Sequence, residues 1–195
     1  DDSNGTVQED ALAQVVSTLN RSNEIFETDM ALTLTLVSGV EILYTDSSTD
    51  PYGGGNLNGE LQNTLTSEIG EANYDIGHLF HKDSPNGNAG CIGCICEDGS
   101  KGSGFSSNLF PNDLPSDTFD IDYVPHEIGH QLGANHTFSH NSEGTGKNVE
   151  PGSGTTIMGY AGITGPSDVQ PHSDPYFQYV SIDQIITNLE TNTCW

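Results

Sequence analysis

The sequence predicts one α/β domain of the α+β kind, with its chemistry carried near the middle of the chain. Three observations lead there. Apolar residues recur at helical spacing over residues 10–28 and again over 181–189, while residues 31–37 alternate with period two, so helix and strand patterns are both present. The 195 residues contain no internal repeat and no linker between independent cores, and that length suits a single domain. Residues 126–136 read HEIGHQLGANH, a helix-borne histidine cluster that divides the chain into an N-terminal sheet half, 1–136, and a C-terminal half, 137–195.

The elements follow in order. Residues 1–9 are polar and read as a loose lead-in. Ala11, Val15, Val16, Leu19, Ile25 and Phe26 give the first helix one apolar face. The Leu-Thr alternation from Ala31 to Val37 predicts a half-buried strand, continued in extended form over residues 40–44. A turn-rich loop occupies 46–61, a short helix runs over 61–69 to Gly70, and a strand is expected over 74–80. His78 and His81 on that strand stand apart from the histidine cluster and are read as structural. Residues 83–90 read as a loop. The helix bearing the cluster is expected to start near the acidic stretch 117–122, with Pro125 tolerated only near its first turn, where a missing N–H costs least. After His136 the chain is glycine-rich and irregular to Gly154. Ser181 and Gln184 form a capping-box pattern before a final helix bearing Ile182, Ile185, Ile186 and Leu189.

The spacing within residues 126–136 carries chemistry. Residues four apart share a helix face, so His126 and His130 can offer two imidazoles to one cation. Glu127 stands one step round the helix, beside a bound metal, where a carboxylate can take a proton from water. Gly133 tolerates the positive φ that ends a helix sharply, and the turn returns His136 as a third ligand. Three imidazoles and an open fourth position describe a catalytic zinc site rather than a closed structural one. The bland reading of such residues is an exposed polar helix face.

A second segment, GTTIMGYAG at residues 154–162, turns tightly around Met158, one of two methionines. With HExxHxxGxxH at 126–136 it resembles the metzincin clan of zinc endopeptidases, and most of the chain, from residues 19–26 to 181–189, is similar to bacterial reprolysin-like (adamalysin-type) proteases. The resemblance implies a metzincin-like catalytic domain: a twisted mixed sheet plus helices above a cleft, and an irregular lower half holding the methionine turn and a C-terminal helix. It implies Met158 as a hydrophobic floor under the three imidazoles, an edge strand for substrate within residues 101–107, and a primed-side pocket lined by 161–164. It also implies a disulfide from Cys194 to Cys96 or Cys94, with Cys96–Cys194 and Cys91–Cys94 taken as the pairs. Two departures stand out. Thr137 follows the third histidine, where reprolysins place an acidic residue. Tyr160 stands two after Met158, as in astacins and serralysins, where a tyrosine can reach the zinc and stabilise an oxyanion; the alternative for Tyr160 is a packed aromatic. Reprolysins also open with a strand before the first helix. Residues 1–5 do not read as one, so either a separately cleaved N-terminal segment supplies it or the sheet is one strand short.

The function expected from these residues is secreted, zinc-dependent hydrolysis of peptide bonds in proteins. Its rivals are a zinc-stabilised binding module without catalysis, and a narrow peptidase for short peptides. With 28 acidic against 4 basic residues and a net charge of −24, the chain would repel nucleic acid and anionic membrane, which excludes both as partners and leaves a protein or peptide substrate and a monomer. Calcium is the one further cofactor considered, as a structural ion at Asp46, Asp50, Asn56, Asn58 and Glu60. Four cysteines, with three of them in CxxCxC, suggest either a metal cluster or two disulfides, and an exported chain favours disulfides. No apolar run approaches the ~20 residues of a membrane span. With no initiator methionine and no leader, Asp1 reads as an end left by processing.

Overall fold

The structure, a computed structural model, describes residues 7–37, 42–53, 55–108, 117–192 and 194. Four α-helices and a small mixed sheet appear in the order α1 (Val7–Met30), α2 (Leu57–Glu68), β1 (His78–Lys82), β2 (Asn86–Asn88), β3 (Gly104–Asn108), α3 (Val124–Leu132) and α4 (Tyr179–Thr191). The sheet order is β1-β3-β2, with β1 parallel and β2 antiparallel to β3. The predicted α+β class and mixed sheet are therefore present.

One apolar core joins α1, α3 and α4, while Leu61 and Leu65 of α2 pack with Tyr74 in a second cluster. Ile25 and Phe26 of α1, Val124, Ile128 and Leu132 of α3 and Ile185 of α4 pack with Phe119, Ile157, Met158 and Phe177. Full burial of each such side chain is worth about 1.5–3 kcal/mol, so the core clamps the histidine helix between α1 and α4. Polar ties fix the directions. Buried Asp120 accepts from Thr18 Oγ1 at 2.8 Å and from Arg21 Nη1 at 2.7 Å, while Arg21 also reaches Asp117.

Several sequence expectations are corrected. Residues 31–37 are extended and keep their alternation, with Leu32 and Leu34 half-buried, but they pair with no strand among the described residues. Instead the Asn23 side chain closes both ways on Leu34, donating to its carbonyl at 2.9 Å and accepting its N–H at 2.8 Å. An apolar cavity of about 230 Å³, lined by Leu34–Val37 on one side and Leu79 and Phe80 on another, keeps this segment from β1. The continuation at 40–44 falls partly outside the described residues. The stretch 101–107 is not an edge: β3 is the buried centre of the sheet among the described residues, and the outer strand beside the histidine helix's Glu127 is β2, in what the sequence presented as a loop. The capping box is unused. Helix α4 starts two residues earlier, capped by the Gln178 side chain accepting from Val180 N at 2.5 Å, and Gln184 turns instead to the Asn135 N–H at 3.2 Å.

Pro125 lies just inside α3, preceded by a π-helical segment, Thr118–Tyr123. The wider turn, in which Val124 N–H reaches Phe119 O, lets the helix pass a residue with no donor. The cysteines pair as Cys91–Cys94 and Cys96–Cys194. The second ties the chain end back across 98 residues, a closure worth about 4 kcal/mol in the loop-entropy account. No helix among the described residues is long and apolar enough to cross a membrane.

Candidate metal centre

Helix α3 delivers His126 and His130 on one face, and Gly133 at φ 122° ends it as expected. The reversal is pinned by α4: Asn188 Nδ2 donates to Leu132 O at 2.9 Å, and Gln184 holds Asn135 as noted. His136 then returns to the other two. Among the described residues these three form the only cluster of three or more His, Cys, Asp or Glu with metal-ligand spacing, their ligand atoms all within 4.8 Å of one another.

The tautomers are set from outside the cluster. His126 Nδ1 donates to Ile157 O at 2.6 Å, His130 Nδ1 to Ala134 O at 2.7 Å, and His136 Nδ1 to the Glu143 carboxylate at 2.9 and 3.0 Å. Each ring is left with an Nε2 lone pair, and those of His130 and His136 face each other at 3.0 Å. Lone pairs so placed repel unless a cation lies between them, and three neutral imidazoles are the donor set that zinc prefers. Burial holds two of the rings neutral: it pushes His130 down to about 4, aided by His136, and takes His126 well below its ordinary value.

Glu127 points across the opening towards β2. Burial raises its carboxyl to about 8, opposed by a hydrogen bond from the Ala89 backbone. Gly87 leaves the room for it, since a Cβ there would come 2.7 Å from Glu127 Cγ. Met158 is fully buried in the core, its sulfur against Gly129 of α3 and its carbonyl accepting from Thr137 N at 3.0 Å. The Tyr160 ring stands 4.6 Å from His136 and 5.6 Å from His126 between centroids, half-buried, its phenol raised to about 12 by burial and by Glu127 and Glu143. All five residues singled out from the sequence thus meet at one place.

The cleft has two lobes that share Gly87, Glu127 and Tyr160. One, of about 420 Å³, lies beside His130, His136 and Glu143 under residues 87–92. The other, also about 420 Å³, runs past His126, Ile157 and Gly159 to Ala161, Gly162 and Ile163, three of the four residues expected to line the primed side.

Two functional neighbours were not foreseen. Glu143 carries no motif signal, coming seven residues after His136 in a glycine-rich stretch. Glu150 is buried and accepts from Thr137 Oγ1 at 2.5 Å, Thr156 Oγ1 at 2.6 Å, and the Thr155 and Thr156 N–H groups at 3.0 and 3.2 Å. It thus ties the third ligand's neighbour to the methionine turn. Thr137, unusual in sequence, is the hydroxyl that meets this carboxylate. Of the residues considered for calcium, Asp46 bonds Ser48, Asp50 accepts from Tyr52 N, Asn56 caps α2 and Asn58 holds Ser103 O, while Glu60 has a buried Oε2 with no hydrogen-bond partner among the described residues. His78 is structural, its Nδ1 at 2.8 Å from Gln131 Oε1 and its Nε2 at 2.9 Å from Ser106 Oγ.

Compared with known families, the chain matches the model of metallo-peptidase family M12B, reprolysin-like, over residues 2–189. No curated protein matches it.

Proposed function

The chain belongs to the M12B reprolysin-like metallopeptidases, and from that premise we propose that it is a secreted, zinc-dependent endopeptidase cleaving peptide bonds within proteins. The observation that carries this reading is a desolvated carboxyl, Glu127, beside three imidazoles whose free nitrogens face one another in an open cleft. His126, His130 and His136 would hold the zinc through Nε2. When bound, the metal supplies Lewis-acid polarisation of a carbonyl and lowers the pKa of water.

The remaining work falls to the protein. Glu127 accepts the proton of the attacking water and delivers it to the leaving amine nitrogen. The Tyr160 hydroxyl donates to the substrate oxygen as negative charge develops there, a bond that matters most in the transition state. Strand β2, at the edge of the sheet over Glu127, offers main-chain groups to an extended peptide, which would lie across both lobes. Secretion is supported by two disulfides, which persist in oxidising compartments.

Casein hydrolysis tests the reading. Activity should vanish with chelator and return with zinc, and Glu127→Gln should lower it about 10²–10⁴-fold while zinc content stays at one per chain. Retention of more than about a tenth of the activity by that variant, or activity indifferent to chelator, would refute the assignment.

A further inference from the structure

We propose that Glu143 is a positioning residue for the third histidine, and that its carboxylate sets how tightly the trio holds zinc. The inference rests on the zinc reading above and goes beyond it, because nothing in the motif assigns a role to residue 143.

The three rings are oriented by two different kinds of acceptor. His126 and His130 donate to main-chain carbonyls, of Ile157 and Ala134, which belong to the folded framework. His136 alone donates to a side chain, and both Glu143 oxygens lie within 3.0 Å of its Nδ1. It is also the least enclosed of the three, half-buried where the others are buried. Its ring is stacked on Phe138 at 4.8 Å and meets the Tyr160 ring at 4.6 Å. Such contacts fix the plane of an imidazole but do not distinguish Nδ1 from Nε2. A carboxylate on one edge does, because it requires the N–H there and leaves the lone pair on the opposite edge, towards His130.

A carboxylate is also a stronger acceptor than a carbonyl, and it raises the basicity of the ring it holds. Among the described residues its contacts are given to His136 alone, so no competing partner draws it away. It is supplied by a surface turn with Gly144 and Gly146 at φ 72° and 73°, which lets the chain fold back over the third ligand. Glu143 also lines the lobe beside His130 and His136, so the same side chain borders the bound peptide.

The test is a competition titration of the metal-free protein against a chromogenic zinc chelator. Glu143→Ala should weaken zinc binding about 10–100-fold, with unchanged melting of the metal-free protein. Glu143→Gln should weaken binding less than Glu143→Ala does, because its amide oxygen still accepts the N–H but without the charge of the carboxylate. Nitrogen NMR of the zinc-loaded proteins should show His136 protonated at Nδ1 in the parent and in Glu143→Gln. Glu143→Leu, which keeps bulk without an acceptor, should repeat the alanine result. The proposal is overturned if the alanine and leucine variants bind zinc as the parent does, or if Glu143→Gln loses as much as they do. A parent protein that binds no stoichiometric zinc would instead remove the zinc reading itself.

Discussion

The wall of the cleft above the histidines and the wall below them are held by different means. Above, residues 86–88 carry almost no strand propensity, yet they are positioned by the antiparallel ladder to β3, with Asn86 opposite Ser107 and Asn88 opposite Phe105. Below, residues 157–160 have no ladder. Their backbone is pinned by single bonds, Tyr160 N to Ser153 O at 2.7 Å and Thr137 N to Met158 O at 3.0 Å, and by the Glu150 carboxylate just upstream. A regular element needs only a neighbouring strand to hold its place. An irregular one must satisfy its backbone donors individually, and a buried carboxylate with five donors does that at one point.

That contrast is open to test. The largest effect should come from the lower wall. Glu150→Ala leaves three hydroxyls and two N–H groups without their acceptor, and should cost about 3 kcal/mol, a fall in Tm of roughly 6–12 °C for a domain of this size. Thermal unfolding followed by circular dichroism measures it; an unchanged Tm would mean that the lower wall stands without its hub. Next, Tyr160→Phe should reduce kcat about a hundredfold with KM nearly unchanged, since the lost hydroxyl acts mainly in the transition state. Steady-state kinetics on a peptide substrate decide between that role and simple packing. On the upper wall, Gly87→Ala would press a Cβ against Glu127, and should lower kcat/KM about tenfold without altering zinc affinity. An activity equal to the parent's would show that the ladder has slack.

The last effect, small at pH 7 and growing as pH falls, concerns the support behind the upper wall. His78 is pushed down to about 4 by burial, opposed by its bond to Gln131, so the folded chain keeps it neutral while the unfolded chain protonates it near 6.5. The unfolded state then binds more protons between those values, and stability falls as pH drops from 6.5 towards 4. His78→Gln should make that slope shallower by one proton, about 1.4 kcal/mol per pH unit, as read from denaturant unfolding at several pH values.

The same contrast shows which parts were legible. The helices at 10–28, 61–69 and 181–189 were, because apolar periodicity reports directly on a buried face; each is present, with its ends moved by a few residues. The disulfide pairs followed from resemblance and are formed as taken. The strand pattern at 31–37 misled, since alternation records which side chains are half-buried but not whether a ladder partner is at hand. Residues 86–88 misled in the opposite sense: turn-forming residues became a strand because Ser106 and Ser107 lay open beside them.

By itself the sequence determined the histidine trio, Glu127 and the turn at Gly133, because their relative positions depend on helix geometry over eleven consecutive residues. It also brought Met158 and Tyr160 into question through one compact turn. Only the tertiary structure decided what surrounds them: that β2 covers Glu127, that Glu150 binds the methionine turn to Thr137, and that Glu143 meets His136. These contacts join residues whose separation in the chain follows no period, through hydrogen bonds whose acceptors could have been drawn from many carboxylates in so acidic a chain. Local spacing decides which groups can point the same way. Which distant group meets them is decided by the packing of α1, α3 and α4 around one core.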